Sequence, residues 1–367
     1  MNRHYSNNKT LLVVGAGGFV GGFIADEGLR RGYDVWVGVR ESTSREYLTD
    51  PRLKFIVFDY DEPEQVERAL IENAPSTYGW DYIIWNLGAT KCVNFSTFNL
   101  VNFLYPRTFV ELLRSNGLVP EKFLYISSLS AVGPVNEDSG EPISSSTVPD
   151  PNTRYGLSKI KTETFLESLP DFPWIIFRPT GVYGPHEKDY LMMIKSIDSH
   201  FDFGVGFRTQ TLTFIYVDDL VRAMFMALES SKTLHHKYII SEPQSYTQKE
   251  FRIIVAECLG KKFVIPVKLP LWMAHIASVV SEKYGVAKMK PMTLNTDKFK
   301  IMKQRNWDCV VTDAIKDFGF CAKVPLPEGI RRTVLAYKAA KVEKKFQDRE
   351  KQLAKDSEGT AKGGGER

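Results

Sequence analysis

Short apolar runs bounded by turn residues punctuate the first half of the chain. Lys9–Val14, Asp34–Val39, Lys54–Phe58, Asp81–Trp85, Phe123–Ile126 and Trp174–Phe177 are each four to six residues long. They are too short and too evenly apolar for amphipathic helices, and read as strands buried on both faces. Segments of helical period separate them, among them Gly22–Arg30, Asn99–Arg114 and the stretch that opens at Tyr155. Strands alternating with helices predict an α/β fold, a Rossmann-type doubly wound parallel sheet with its ligands at the carboxyl ends of the strands.

The pattern changes at three places. Residues 134–154 are rich in Pro, Ser, Asp and Glu without periodicity, and read as a long loop over the site. Pro266–Gly285 is an apolar helical segment bearing Trp272 and Met273. It reads as a core helix of a small domain or as the lining of a hydrophobic cleft, with peripheral contact to a membrane surface as the remaining alternative. Residues 339–367 are highly charged and end in Gly-Gly-Gly-Glu-Arg, which predicts an exposed helix fraying into a disordered tail.

Composition narrows the classes. The 367 residues are 43% hydrophobic and 25% charged, ordinary for a globular chain. A net charge of +4 gives no reason to expect nucleic acid. Cys92, Cys258, Cys309 and Cys321 are scattered, as are the histidines, so neither a disulfide framework nor a metal site is expected. The first ten residues lack the apolar core of a signal peptide, and no run of about 18 apolar residues offers a transmembrane span. A cytoplasmic protein acting on a small molecule is the simplest expectation.

The chemistry concentrates at strand ends. The first strand runs into Gly15-Ala16-Gly17-Gly18-Phe19-Val20-Gly21 and then a helix, the context of a dinucleotide fingerprint. Gly15 permits the tight turn, Gly18 lets backbone approach a pyrophosphate, and Gly21 lets helix and strand pack. The second strand ends at Arg40, where an acidic residue would hold the ribose of NAD. A guanidinium there suits a 2′-phosphate, so NADP is expected, with NAD as the alternative if Glu41 turns inward or Arg40 only stacks on adenine. Asp59 follows the third strand, placed to meet the adenine amino group. Gly88 and Ala89 follow the fourth, where small residues admit a cofactor. Tyr155 and Lys159, four apart on a helix, share one face. A fixed ammonium favours a phenolate and lowers a pKa that starts near pH ~10.

Together GAGGFVG, NLGAT, YISSLSAVG, YGLSK, RPTGVYGP and FIYVDDL resemble the extended short-chain dehydrogenase/reductase family, also called the epimerase/dehydratase superfamily. The resemblance covers about residues 9–335. It implies a Rossmann domain over 9–180 and 211–240 and a smaller substrate domain over 181–210 and 241–338. It implies catalytic roles for Ser128, Tyr155 and Lys159. Cofactor contacts are implied for Gly15, Gly18, Phe19, Val20, Gly21, Arg40, Asp59, Gly88, Ala89, Asn102, Tyr155, Lys159 and Val182. A homodimer is common in such proteins, although no independent signal for one exists here.

The departures bear on the branch. Leu129-Ser130 follow Ser128, where nucleotide-sugar dehydratases carry Asp-Glu. Gly181 stands where sugar epimerases usually have Asn, and Leu212 where they carry a diphosphate-binding Arg. The 3β-hydroxysteroid dehydrogenase-like and dihydroflavonol reductase-like branch is closer, which implies an alcohol–ketone oxidoreductase for an apolar substrate. A nucleotide-sugar epimerase is the alternative, and a cofactor-binding protein without turnover the second.

Overall fold

The run Leu11–Val14 is fully buried, and its side chains alternate between two separate cores. That alternation is what a central parallel strand requires, since both of its faces are covered by helices. The computed structural model describes residues 8–135, 137–290 and 292–362. In chain order the first elements are β1 (Thr10–Val14), α1 (Phe19–Arg30), β2 (Asp34–Val39), β3 (Lys54–Val57), α2 (Pro63–Asn73), β4 (Tyr82–Trp85), α3 (Phe95–Asn99), α4 (Tyr105–Ser115), β5 (Lys122–Ile126) and α5 (Arg154–Glu167). There follow β6 (Trp174–Pro179), β7 (Gly181–Tyr183), α6 (Lys188–Asp198), β8 (Phe201–Val205), β9 (Thr211–Tyr216), α7 (Val217–Glu229), β10 (Lys237–Ile240) and β11 (Ser245–Thr247). The chain closes with α8 (Gln248–Leu259), β12 (Ile265–Leu269), α9 (Leu271–Ala287), α10 (Thr296–Lys303), α11 (Thr312–Phe318) and α12 (Leu326–Lys362).

Among the described residues seven strands form one sheet in the order β10-β6-β5-β4-β1-β2-β3, every neighbouring pair parallel. The order reverses between β1 and β4. A doubly wound sheet opens its ligand crevice there, beyond the carboxyl ends of both strands. One core, with Leu11 and Val13, lies under α1 and α7; the other, with Leu12, Val14 and Trp85, lies under α2 and α4. A three-stranded sheet, β11-β9-β7, and a parallel pair, β12-β8, stand beside the main sheet.

Between α3 and α4 the helix passes through a π-turn, Leu100–Leu104, in which the Tyr105 N–H reaches back to the Leu100 carbonyl. Its cause is local. Pro106 has no N–H, so the Asn102 carbonyl loses its partner four residues on. That carbonyl instead accepts the Thr162 hydroxyl at 2.5 Å and the Tyr125 hydroxyl at 3.4 Å.

The loop of residues 134–154 is pinned rather than free. Ile143 is buried and bridges Cys309, and Asn306 Nδ2 donates to the Glu141 carbonyl at 2.8 Å. Helix α12 continues to Lys362, through most of the stretch read as a charged tail; residues 363–367 lie outside those described. No helix among the described residues is long and apolar enough to cross a membrane.

Candidate functional site

The crevice is built from the ends of five strands, β1 to β5. After β1, Gly15 sits at φ +82°, and a Cβ there would come 2.6 Å from the Leu87 backbone nitrogen. A Cβ on Gly21 would lie 2.5 Å from the Gly15 carbonyl oxygen, so the helix closes onto the turn only because that atom is missing. Gly18 is exposed and caps α1 without a side chain, and α1 has no acidic residue in its first turn. Phe19 and Val20 open the helix, half-buried, over this uncapped end. The free N–H groups and positive dipole of such a terminus suit a phosphate, and the turn fits a dinucleotide.

The ends of β2 and β3 form the other arm. Arg40 is exposed, and its backbone N–H bonds Thr43 Oγ1 at 3.0 Å. Its charge is felt at Tyr60 and Tyr105, where it pulls against the burial that raises both phenols. Asp59 is exposed and accepts the Asp61 N–H at 3.2 Å. The charges of Arg40 and Asp59 both reach the Tyr105 phenol, so the three groups lie near one another.

The ends of β4 and β5 face α5. Asn102 is fully buried and bonds both backbone groups of Ala89, while its Nδ2 also donates to Ser158 Oγ at 2.9 Å. A Cβ on Gly88 would be 3.0 Å from Lys159 Nζ, so the glycine keeps that corner open. Lys159 donates to the Ile126 carbonyl at 2.8 Å. Ser128 caps a short turn at Leu129–Ala131 and its Oγ accepts the Ser130 N–H at 3.1 Å. The same hydroxyl is close enough to Tyr155 to favour its phenolate. Ser128, Tyr155 and Lys159 therefore meet at the floor of the crevice, with Gly88, Ala89 and Asn102 along one wall. Val182 in β7 is half-buried nearby in the chain, after the end of β6.

The electrostatics differ from the sequence expectation. Desolvation pushes the Tyr155 phenol up to about 12, with the Ser128 hydrogen bond pulling the other way. Burial pushes the Lys159 ammonium down to about 7, against the charge of Glu163. Lys159 is turned to a carbonyl rather than to the phenol, so its charge does not offset the burial of Tyr155.

Two groups in the site were not singled out from the sequence. Glu163 and Arg178 form a fully buried pair, Nη2 to Oε2 at 2.5 Å, and Ser127 Oγ also donates to Glu163. Glu163 lies one turn beyond Lys159 on the same helix face, so the spacing Tyr155, Lys159, Glu163 was its available signal. At the mouth, Asp189 holds both Lys91 and Lys298. Arg154 is clasped by Glu282 of α9 at 2.7 Å and Asp297 of α10 at 3.2 Å, and Asp297 also accepts the Tyr155 N–H. The pairs at the mouth join residues 98 to 143 positions apart, which periodicity does not reveal.

The NAD-dependent epimerase/dehydratase family matches this chain over residues 11–241. The chain belongs to that family. A Methanocaldococcus jannaschii protein named a candidate UDP-glucose 4-epimerase is 25% identical over 235 residues, 59% of this chain and 73% of that one. A 3β-hydroxysteroid-dehydrogenase/decarboxylase of Arabidopsis thaliana is 24% identical over 251 residues, 61% of this chain and 54% of that one. The solved structure of Thermus thermophilus UDP-glucose 4-epimerase with NAD superposes with a TM-score of 0.71 at 22% identity, covering 90% of this chain and 99% of that one. Membership makes the chain an NAD-dependent oxidoreductase-type enzyme, and the seven-stranded sheet is the family's nucleotide-binding fold.

Proposed function

We propose that this member of the family interconverts an alcohol and a ketone on an apolar substrate, using Ser128, Tyr155 and Lys159. The observation that carries the reading is what surrounds Ser128. Leu129 follows it and is buried in an apolar cluster with Val132, Ile143 and Trp307, against which Leu212 also packs. The residues of that cluster bring no carboxyl for eliminating water and no guanidinium for a diphosphate. Phe98 lies against Tyr155, ring centroids 6.2 Å apart, and adds another apolar surface.

Gly15, Gly18, Phe19, Val20 and Gly21 would hold the pyrophosphate, Arg40 and Asp59 the adenosine end, and Gly88, Ala89, Asn102, Lys159 and Val182 the nicotinamide end. When bound, the nicotinamide supplies or accepts the hydride. In reduction Ser128 and Tyr155 hold the carbonyl oxygen, and the phenol gives up its proton as negative charge grows there. In oxidation the phenolate takes the alcohol proton. Lys159 donates to the Ile126 carbonyl here; charged and turned from it toward the crevice, it would favour that phenolate. Arg40 favours NADP over NAD, because a guanidinium matches a phosphate and Ser42, Thr43 and Ser44 follow it with hydroxyl donors.

A nucleotide-sugar epimerase is the second reading. Lys91 and Lys298 support it, since two cations share the single carboxylate of Asp189 at the mouth. Incubating the enzyme with each cofactor and a panel of apolar ketones and UDP-sugars tests both. Net loss of reduced-cofactor absorbance with apolar ketones supports the first. Inversion of a sugar carbon without net cofactor change replaces it with the second.

A further inference from the structure

Helix α9 is apolar on nearly every side, yet only one side is covered. Ala274, Ser278 and Gly285 face inward and are buried. Trp272, Met273, Ile276, Val280 and Tyr284 lie on the outer side and are 41–65% exposed. Residues 272, 276, 280 and 284 recur every four positions and make one stripe, where a surface helix ordinarily turns polar residues to water.

The stripe continues beyond the helix. Leu271 lies against Gly206, just past the end of β8. On the outer face of β8, Phe201 and Phe203 stack with centroids 6.1 Å apart, and Ile265 of β12 pairs beside Phe201. All three are exposed. Large apolar side chains grouped on one helix face in this way mark an interaction surface rather than scattered surface hydrophobics.

Charge selects the occupant. Residues 261–290 carry six lysines, at 261, 262, 268, 283, 288 and 290, and one acid, Glu282. Lys261 pairs with Asp198 and the other five are exposed. Glu282 is turned inward to Arg154 and Thr296. The segment therefore carries 6 − 1 = +5, against +4 for the whole chain. A second copy on a two-fold axis would set one lysine rim against another. An anionic bilayer surface matches both features. Lysines reach the headgroups with their stems along the apolar face. Trp272 and Tyr284 suit the interface, and Ile276 and Val280 the acyl boundary.

We propose that the outer face of α9, extended by the β8-β12 pair, docks this protein onto an anionic lipid surface, the helix lying in the plane of the interface. Arg154, held by Glu282 of α9, neighbours Tyr155, so docking brings the mouth of the crevice to the bilayer. Entry of the substrate from lipid rests on the apolar-substrate reading above; docking itself does not.

The test is co-sedimentation of the full chain with phosphatidylcholine vesicles, with and without phosphatidylglycerol, at low salt. Binding to the anionic vesicles is expected. It falls at least about tenfold in Lys283→Glu/Lys288→Glu/Lys290→Glu, and also in Trp272→Ser/Ile276→Ser/Val280→Ser. These residues are exposed, so unchanged melting temperature and cofactor affinity verify the fold of each variant. Tyr155→Phe binds vesicles as the parent does, which separates this proposal from the catalytic one. No binding to anionic vesicles, or undiminished binding in both folded triple variants, overturns it. A dimer in sedimentation velocity that Ile276→Ser dissolves also overturns it, and makes a second copy the occupant.

Discussion

The Asn102 side chain closes a ring on the backbone of Ala89: Oδ1 accepts the Ala89 N–H at 2.8 Å, and Nδ2 donates to the Ala89 carbonyl at 3.0 Å. The π-turn and the loop after β4 are thereby locked to each other. Asn102→Leu keeps the shape but strands those two groups and takes one partner from Ser158 Oγ, which keeps its bond to the Tyr155 carbonyl. Stranded polar groups cost about 1–3 kcal/mol each when water cannot reach them. Because Ala89 is half-buried, a total loss of about 2–3 kcal/mol is expected. A shift of the urea midpoint at constant slope measures it.

Tyr155→Phe keeps the ring that packs on Phe98 and removes the proton. Turnover is expected to drop at least ~10²-fold, with cofactor affinity close to the parent's. Steady-state rates beside calorimetric cofactor titration check this, and parent-like turnover would remove Tyr155 from its role. Lys159→Met should lose both rate and cofactor affinity.

Lys159 also sets a pH dependence of stability in the cofactor-free protein. Burial lowers its folded-state value to about 7 from 10.5. Between those values the unfolded chain binds more protons, so stability from this group rises as pH increases. The parent should therefore gain stability relative to Lys159→Met between pH 7 and 10, as urea unfolding at several pH values will record. A constant difference would mean that Lys159 is not desolvated.

The pair Glu163–Arg178 is buried at 0% and 1% side-chain exposure. Breaking a buried pair leaves a charge uncompensated and costs about 3–5 kcal/mol. Arg178→Met should therefore be strongly destabilised, while Glu163→Leu/Arg178→Met recovers much of the loss. Thermal melts of the single and double variants read the coupling.

The proposed preference for NADP rests on Arg40. A charge-assisted contact is worth about 1.5–3 kcal/mol, so NADP should bind about ten- to a hundredfold more tightly than NAD. Arg40→Ala should erase the difference and leave NAD affinity nearly unchanged. Calorimetry that finds equal affinities in the parent would leave Arg40 as an adenine-stacking residue.

The strands of the main sheet were legible because a strand buried on both faces must be continuously apolar, as Leu11–Val14 and Ile83–Trp85 are. The glycine turn was legible because the backbone approaches that Gly15 and Gly21 permit exclude a Cβ. The Glu163–Arg178 pair was not, since isolated charges in a sequence read as surface. The outward face of α9 was legible only in part: Trp272 and Met273 read as core or cleft, with contact to a membrane surface as the remaining alternative. The effect of Lys159 on Tyr155 was inferred from proximity alone, while its direction depends on where Nζ points, which only coordinates show. Pro106 stood in view as the cause of the π-turn, but a proline near a helix start is also compatible with an unbroken helix.

The π-turn means that the helix from Phe95 to Ser115 holds one residue more than its α-helical hydrogen bonds need. In genetic terms, losing a single codon between Leu100 and Leu104 would remove the extra residue and swing everything upstream by about 100°, while Pro106 would still leave one carbonyl without its helical partner. Phe98 would leave the ring of Tyr155, and Asn94 its capping bond to the Thr97 N–H would carry elsewhere. The reading frame of this one helix is thus part of the crevice's construction.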